Sequence, residues 1–112
     1  MKYMLLIYGD PNAPGEDGVF EEYMKFTQDI VNSGEMVAGD PLQGIETATT
    51  VRVRDGKRTT TDGPFAETKE VLGGYYIVDL ADLDAALAWA AKVPNAPYGS
   101  VEVRPVVEFD AP

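Results

Sequence analysis

Short apolar runs, each closed by glycine, proline or aspartate, divide this chain into alternating predicted strands and helices. Residues 3–8 and 72–80 are rich in aromatic and branched side chains, which is typical of strands. Residues 35–38 and 101–109 are predicted as two further strands, and residues 9–18 as a glycine- and proline-rich loop. Pro105 lies inside the last strand, which favours a place at the edge of a sheet.

Two segments have the spacing of amphipathic helices. Residues 19–34 place apolar side chains on one face and end at Gly34, a residue that commonly stops a helix. The members of that face are Phe20, Tyr23, Met24, Thr27, Ile30 and Val31. The second helix starts after Asp82, a good N-cap, and ends before Pro94. Its predicted apolar face consists of Leu83, Ala86, Leu87 and Ala90.

The dipeptide Asp55-Gly56 separates two extended runs, residues 48–54 and 57–61. A two-residue loop of this type is a strong hairpin signal, because both positions must accept a positive φ. Without the hairpin the element order is βαββαβ, a ferredoxin-like α+β arrangement in which the first and third strands are central. We therefore predict one domain over residues 1–112, with an inserted β-hairpin.

The two predicted central strands are apolar on both of their faces. In residues 3–8 and 75–80, neighbouring apolar side chains point in opposite directions, although helices cover only one side of such a sheet. A second copy of the chain would cover the remaining face, so we predict a homodimer. The alternative is that the hairpin and the loop after it fold back over that face.

The amino-acid composition limits the ligands and the catalytic groups that this chain can use. The net charge is −10, which makes broad nucleic-acid binding unfavourable. The chain has no cysteine and no histidine, so thiolate and imidazole sites for metals and nucleophilic catalysis are excluded, and we predict no metal and no cofactor. Its apolar runs are too short for a signal peptide or a membrane span, and we expect a cytoplasmic protein.

The most distinctive motif is DGPFAETKE at residues 62–70, and it resembles the signature of the YCII-related, or DGPF, family. More of the chain fits that family: KYMLLIYGD at 2–10, GGYY at 73–76, ALAWAAKVP at 86–94 and VEVRPV at 101–106. The resemblance implies a dimeric α+β barrel. It also implies two kinds of function, because some members are linked to extracytoplasmic-function sigma factors and a related branch includes a dehydrochlorinase of a chlorinated hydroxyquinol. That branch is thought to use a histidine–aspartate pair, of which only Asp62 has a counterpart here.

Asp62 is the candidate catalytic residue. It follows the second hairpin strand and precedes Gly63-Pro64, where a buried carboxylate could act as a general base. The alternative is that the carboxylate only accepts bonds from the amides of its own turn.

Further candidate site residues lie near the ends of the predicted strands. Asp10 and Asp40 each stand in a Gly-Asp-Pro triplet, where they either join Asp62 or form ordinary turns. Glu67 and Lys69 follow the motif and could contact a polar ligand or solvent. Tyr8, Tyr75 and Tyr76 could present hydroxyls to an aromatic ligand or pack in the core.

Four of the nine basic residues cluster in the hairpin: Arg52, Arg54, Lys57 and Arg58. They form either a docking patch for an anionic partner or a solvated edge that resists aggregation.

Two hypotheses for function remain. The first is a small-molecule enzyme or binding protein with a cleft near the DGPF loop, in which Asp62 handles a proton and Tyr8, Asp40, Glu67, Lys69 and Tyr75 contact the ligand. The second is a non-catalytic regulatory module linked to a sigma factor.

Overall fold

The computed structural model describes residues 1–12 and 19–109. The predicted loop at 9–18 therefore lies partly outside the described residues. The elements follow the predicted order, with a short 3-10 turn at Ile45–Thr47 before the hairpin. They are β1 (Lys2–Gly9), α1 (Val19–Asn32), β2 (Met36–Pro41), β3 (Thr49–Arg54), β4 (Lys57–Asp62), β5 (Val71–Asp79), α2 (Leu83–Lys92) and β6 (Ser100–Pro105).

Four strands form an antiparallel sheet in the order β2-β5-β1-β6. This is the ferredoxin-like order, with β1 and β5 central, and it confirms the predicted fold class. Pro105 lies opposite Tyr3 on the edge strand β6. The strand ends there and not at residue 109 as predicted, because a proline nitrogen cannot donate to the ladder.

The hydrophobic core lies between one face of this sheet and both helices. Alternate residues of the central strands point into it, as their spacing predicts. Its buried members are Tyr3, Leu5, Ile7, Phe26, Ile30, Tyr76, Val78, Leu80, Ala86, Ala90 and Val93. Leu5, Ile30 and Val78 are fully buried.

Helix α1 buries only part of its predicted face, since Ile30 is fully buried and Tyr23 packs against the core. Phe26 was not predicted in the core, yet it packs edge-on against Tyr76 at 5.3 Å and against Trp89 at 6.0 Å between ring centroids. Among the predicted core residues, Phe20 and Met24 are 76% and 61% exposed. The apolar surface of α1 is wider than the sheet can cover, and the aromatic ring of Phe26 decides which part is buried.

Helix α2 begins as predicted, because the Asp82 carboxylate accepts a bond from the Ala85 amide at 3.0 Å. Its predicted apolar face is only half correct. Ala86 and Ala90 are buried, whereas Leu83 and Leu87 are exposed. The small alanine side chains allow the helix to approach the sheet closely, and the leucines lie outside that contact.

Strands β3 and β4 form a separate two-stranded sheet. The predicted turn is confirmed, since Asp55 and Gly56 have φ values of 52° and 75°. Within the described part of the chain, these strands pair only with each other, and every residue of β4 is exposed. We call residues 49–65, which include the hairpin and the start of the DGPF loop, the arm.

The sheet surface opposite the helices stays partly exposed. We call it the open face, and its apolar members are Met4, Leu6, Tyr8, Tyr75 and Ile77. The arm does not protect these side chains as the alternative prediction required, because they retain intermediate exposure while the arm itself is exposed. No helix among the described residues has the length and apolar composition needed to cross a membrane.

Candidate functional site

A cavity of about 970 Å³ lies between α1 and the end of the sheet where β1 and β2 finish and β5 begins. Its size is within the range of small-molecule sites. The walls are mainly apolar, and they include Phe20, Met24, Val31, Leu42, Ile45 and Leu72. A smaller depression of about 560 Å³ beside α2 includes several charged side chains, so the larger cavity is the better candidate site.

The exposed apolar residues of α1 line this cavity. Phe20 and Met24 are four residues apart, so they lie on the same side of the helix, one turn from each other. Phe26 and Ile30, by contrast, hold α1 on the core. The helix therefore has two apolar surfaces, one that packs on the sheet and one that forms the cavity wall.

Two predicted ligand contacts, Asp40 and Tyr75, border the cavity at the edge of the sheet, but their side chains project on the open face, away from α1. They are direct neighbours across β2 and β5, and the Tyr75 hydroxyl donates to Asp40 Oδ2 at 2.8 Å. Register places them together because a residue and its cross-strand partner project from the same face of a sheet. A carboxylate and a phenol joined in this way can exchange hydrogen bonds with a ligand hydroxyl.

The Asp40 carboxylate raises the pKa of Tyr75 above its ordinary value, first through the hydrogen bond and then through its charge. Both effects favour the neutral phenol, because ionisation would place a second negative charge beside the first. Any stability from this pair is fully present below the unfolded pKa of tyrosine and is lost as pH rises through the higher folded pKa.

We expect Asp40→Asn to lower the titration midpoint of one tyrosine toward its ordinary value, because the neighbouring negative charge is removed. The absorbance of phenolate between pH 8 and 12, roughly the range that brackets a tyrosine pKa, measures this change. Tyr75→Phe should remove that same transition from the titration. An unchanged tyrosine titration in Asp40→Asn would contradict the pairing.

Other polar groups of the cavity serve partly structural roles. The Tyr76 hydroxyl is bonded to Thr27 Oγ1 at 2.6 Å, and the Asn95 amide donates to the Tyr8 carbonyl at 2.8 Å. Asp10 also lines the cavity, and its carboxylate accepts a bond from the Asn12 amide at 2.9 Å. The described lining contains acidic groups and no lysine or arginine.

The remaining predicted site residues lie elsewhere. Asp62 is exposed at the end of β4, and its carboxylate has no hydrogen-bond partner among residues 1–12 and 19–109. The DGPF turn is held by backbone atoms, since the Gly63 amide donates to the Ala48 carbonyl at 2.7 Å and Thr50 Oγ1 donates to the Gly63 carbonyl at 2.7 Å. Glu67 and Lys69 are exposed, and Tyr8 belongs to the open face.

Four predicted site residues are absent from the cavity lining of a single chain: Tyr8, Asp62, Glu67 and Lys69. The role of Asp62 as a base stays a prediction. The sequence analysis did not predict that Asn95, Phe20 and Met24 line the cavity. For Phe20 and Met24 the sequence did contain a signal, because the apolar face of α1 is wider than contacts with the core alone require.

The comparisons with known proteins agree with this architecture. The family model described as "YCII-related domain" matches residues 1–110, and the chain belongs to that family. An uncharacterised protein of Rhizobium meliloti (strain 1021), R00369, is 35% identical, with 97% of this chain and 94% of that protein covered.

A solved structure shows the same fold at low sequence identity. It is 5-chloro-2-hydroxyhydroquinone dehydrochlorinase (TftG) from Burkholderia phenoliruptrix AC1100, in complex with 2,5-dihydroxybenzoquinone. The TM-score is 0.60 at 11% identity, and the match covers 97% of this chain and 96% of that one. The YCII-like α+β fold predicted from the sequence is thus confirmed.

Proposed function

We propose that this protein binds a small, flat, largely apolar organic molecule in the cavity beside α1. The observation that carries the proposal is the pair Phe20 and Met24, which stay exposed on a helix while they line a cavity of about 970 Å³. Apolar side chains that the core does not need are typical walls of a ligand site. The dehydrochlorinase binds 2,5-dihydroxybenzoquinone, which is likewise a small, flat ring but a more polar one.

The charges of the site select among such molecules. Asp10, Asp40 and Glu46 line the cavity, and the described lining has no basic residue. Carboxylates accept hydrogen bonds and repel anions, so the favoured ligand is neutral and carries hydroxyl or amine donors.

The test is calorimetric titration with a dihydroxynaphthalene and with the matching dihydroxynaphthoate, which adds only a carboxylate. We expect the neutral compound to bind at least about tenfold more tightly, a difference of about 1.4 kcal/mol. Met24→Arg should weaken binding strongly, because it replaces an apolar contact of the wall with a charged group that a neutral ligand would have to desolvate. Leu87→Arg is the matched control on the exposed surface of α2 and should bind normally.

Variants of the polar groups test whether Asp40 or Asp62 contributes to ligand affinity. Asp40→Asn should weaken binding by about tenfold, the usual effect of losing a hydrogen bond to a charged group. Tyr75→Phe is measured together with the oligomeric state, because Tyr75 also belongs to the open face. Asp62→Asn should leave binding unchanged if only the cavity of a single chain is used. Equal affinity of Met24→Arg and Leu87→Arg would show that the ligand lies elsewhere and would refute the proposal.

A second candidate function is a non-catalytic interaction module, with an extracytoplasmic-function sigma factor as the partner that the family resemblance implies. The observation that favours it is the exposure of the DGPF loop, where Asp62 is unpaired among the described residues and Phe65 is 79% exposed. An exposed aromatic side chain beside a carboxylate suits a protein contact better than a pocket for a small molecule.

We also propose that the protein is a homodimer through its open face. The accessible surface of the chain is 8153 Å². A compact monomer of this length is expected to expose about 6,000 Å². An excess of roughly 2,000 Å² from each of two chains lies in the range of obligate dimers.

A further inference from the structure

The strands of the arm, residues 49–65, have no strand partner outside the arm among residues 1–12 and 19–109. A two-stranded hairpin alone is marginally stable in water at best and normally packs on something else. The radius of gyration also shows an extended chain, at 16.1 Å. A compact domain of this length is expected to have about 13 Å.

The arm exposes apolar side chains on one face. Val51 and Val53 project from the same side of β3, opposite Thr60 and Arg58 of β4, and they are 56% and 60% exposed. Phe65 adds an exposed aromatic ring where the arm meets the DGPF loop. Water contact with these three side chains is unfavourable, so the valine face is the side of the arm that requires a covering surface.

The charge of the arm identifies the covering surface. The arm has four basic and two acidic residues, whereas the rest of the chain has five basic and seventeen acidic residues. None of the four arm cations forms an ion pair within the described part of the chain. A positive arm on a strongly negative body is complementary to the body of another copy of the same chain.

We propose that the arm packs, through its valine face, on the acidic body of a second copy of this chain. Arg58 lies on that face opposite Val53, beside the apolar contact, whereas Arg54 and Lys57 pair across the turn on the other face of the arm. Each copy presents one arm and one acidic body, so a two-fold pair satisfies both at once. This inference concerns a different surface from the cavity and goes beyond ligand binding.

A single cysteine reports directly on the arm, because the chain has none of its own. Val53→Cys should react with a thiol reagent at least tenfold more slowly at concentrations where the protein is dimeric than after dilution to monomer. Leu87→Cys is the matched control, with similar exposure in one chain at 47%, and should react at the same rate in both states. Equal rates for Val53→Cys in both states would overturn the proposal.

Charge reversal provides a second, independent test. Arg58→Glu should raise the dimer dissociation constant at least tenfold, because it turns an attraction to the acidic body into a repulsion. Lys25→Glu makes the same change in net charge on α1 and should raise that constant less than threefold. Added salt should weaken the wild-type dimer more than the Arg58→Glu dimer, since it screens the attraction that only the former has. Equal effects of the two reversals would refute the arm contact while leaving cavity binding, measured separately, unaffected.

Discussion

Replacing Leu6 with aspartate is expected to abolish the proposed open-face dimer and to leave a folded monomer. Leu6 lies on the central strand β1 and on the open face, between Tyr75 of β5 and Glu102 of β6. A carboxylate there would lose its water in a sheet-to-sheet interface and would also lie beside Glu102. Burying an unpaired charge costs several kcal/mol, so the dissociation constant should rise more than about a hundredfold.

Sedimentation velocity over a range of concentrations measures this change, and the circular dichroism spectrum verifies that the variant stays folded. Leu87→Asp is the matched control, since Leu87 is exposed on α2, away from the open face. It should remain dimeric. A wild-type protein that sediments as a monomer at every concentration, or a Leu6→Asp variant with wild-type affinity, would refute the open-face dimer.

The largest loss of folding stability is expected for Phe26→Ala, about 3–5 kcal/mol. Phe26 is 5% exposed and packs edge-on against both Tyr76 and Trp89, so it joins α1, the sheet and α2. Its removal leaves a cavity that rigid neighbours on three sides cannot close. Urea unfolding at fixed protein concentration measures the change, because the stability of a dimer depends on concentration.

The matched control for Phe26→Ala lies on the same helix, α1. Phe20→Ala is an identical substitution at a position that is 76% exposed and lines the cavity. It should cost less than about 1 kcal/mol of folding stability, as is usual for surface sites. It should instead weaken binding of the dihydroxynaphthalene. Equal losses of stability for the two phenylalanines would contradict the assignment of one to the core and the other to the ligand site.

The cavity and the arm have opposite charge on one chain. Asp10, Asp40 and Glu46 border the cavity, whereas Arg54 and Arg58 are among the cations of the arm. This separation has a practical consequence for both proposals. Variants of the arm test assembly, variants of the apolar cavity wall such as Phe20→Ala test ligand binding, and each of these two sets has a readout that the other should not change.

The sequence by itself determined the elements and their order. The Asp55-Gly56 turn and the Asp82 cap act through local backbone conformation, and both are found where predicted. The second strand was predicted to end at residue 38, before Gly39-Asp40-Pro41, but that triplet lies inside β2, where it pairs with β5. The βαββαβ order of the elements predicted that β1 and β5 are the central strands, and the sheet has that order. The DGPF motif and the segments around it identified the family.

The tertiary structure alone decided which apolar residues form the core and which form the cavity. Helical spacing puts Phe20, Met24 and Phe26 on a broad apolar surface of α1, and only the position of the helix over Tyr76 and Trp89 separates them. The pairing of Asp40 with Tyr75 depends on the register of β2 against β5, across thirty-five residues of chain. Local pattern contains no information on such register or on helix rotation, because both are set by side-chain packing between elements distant in sequence.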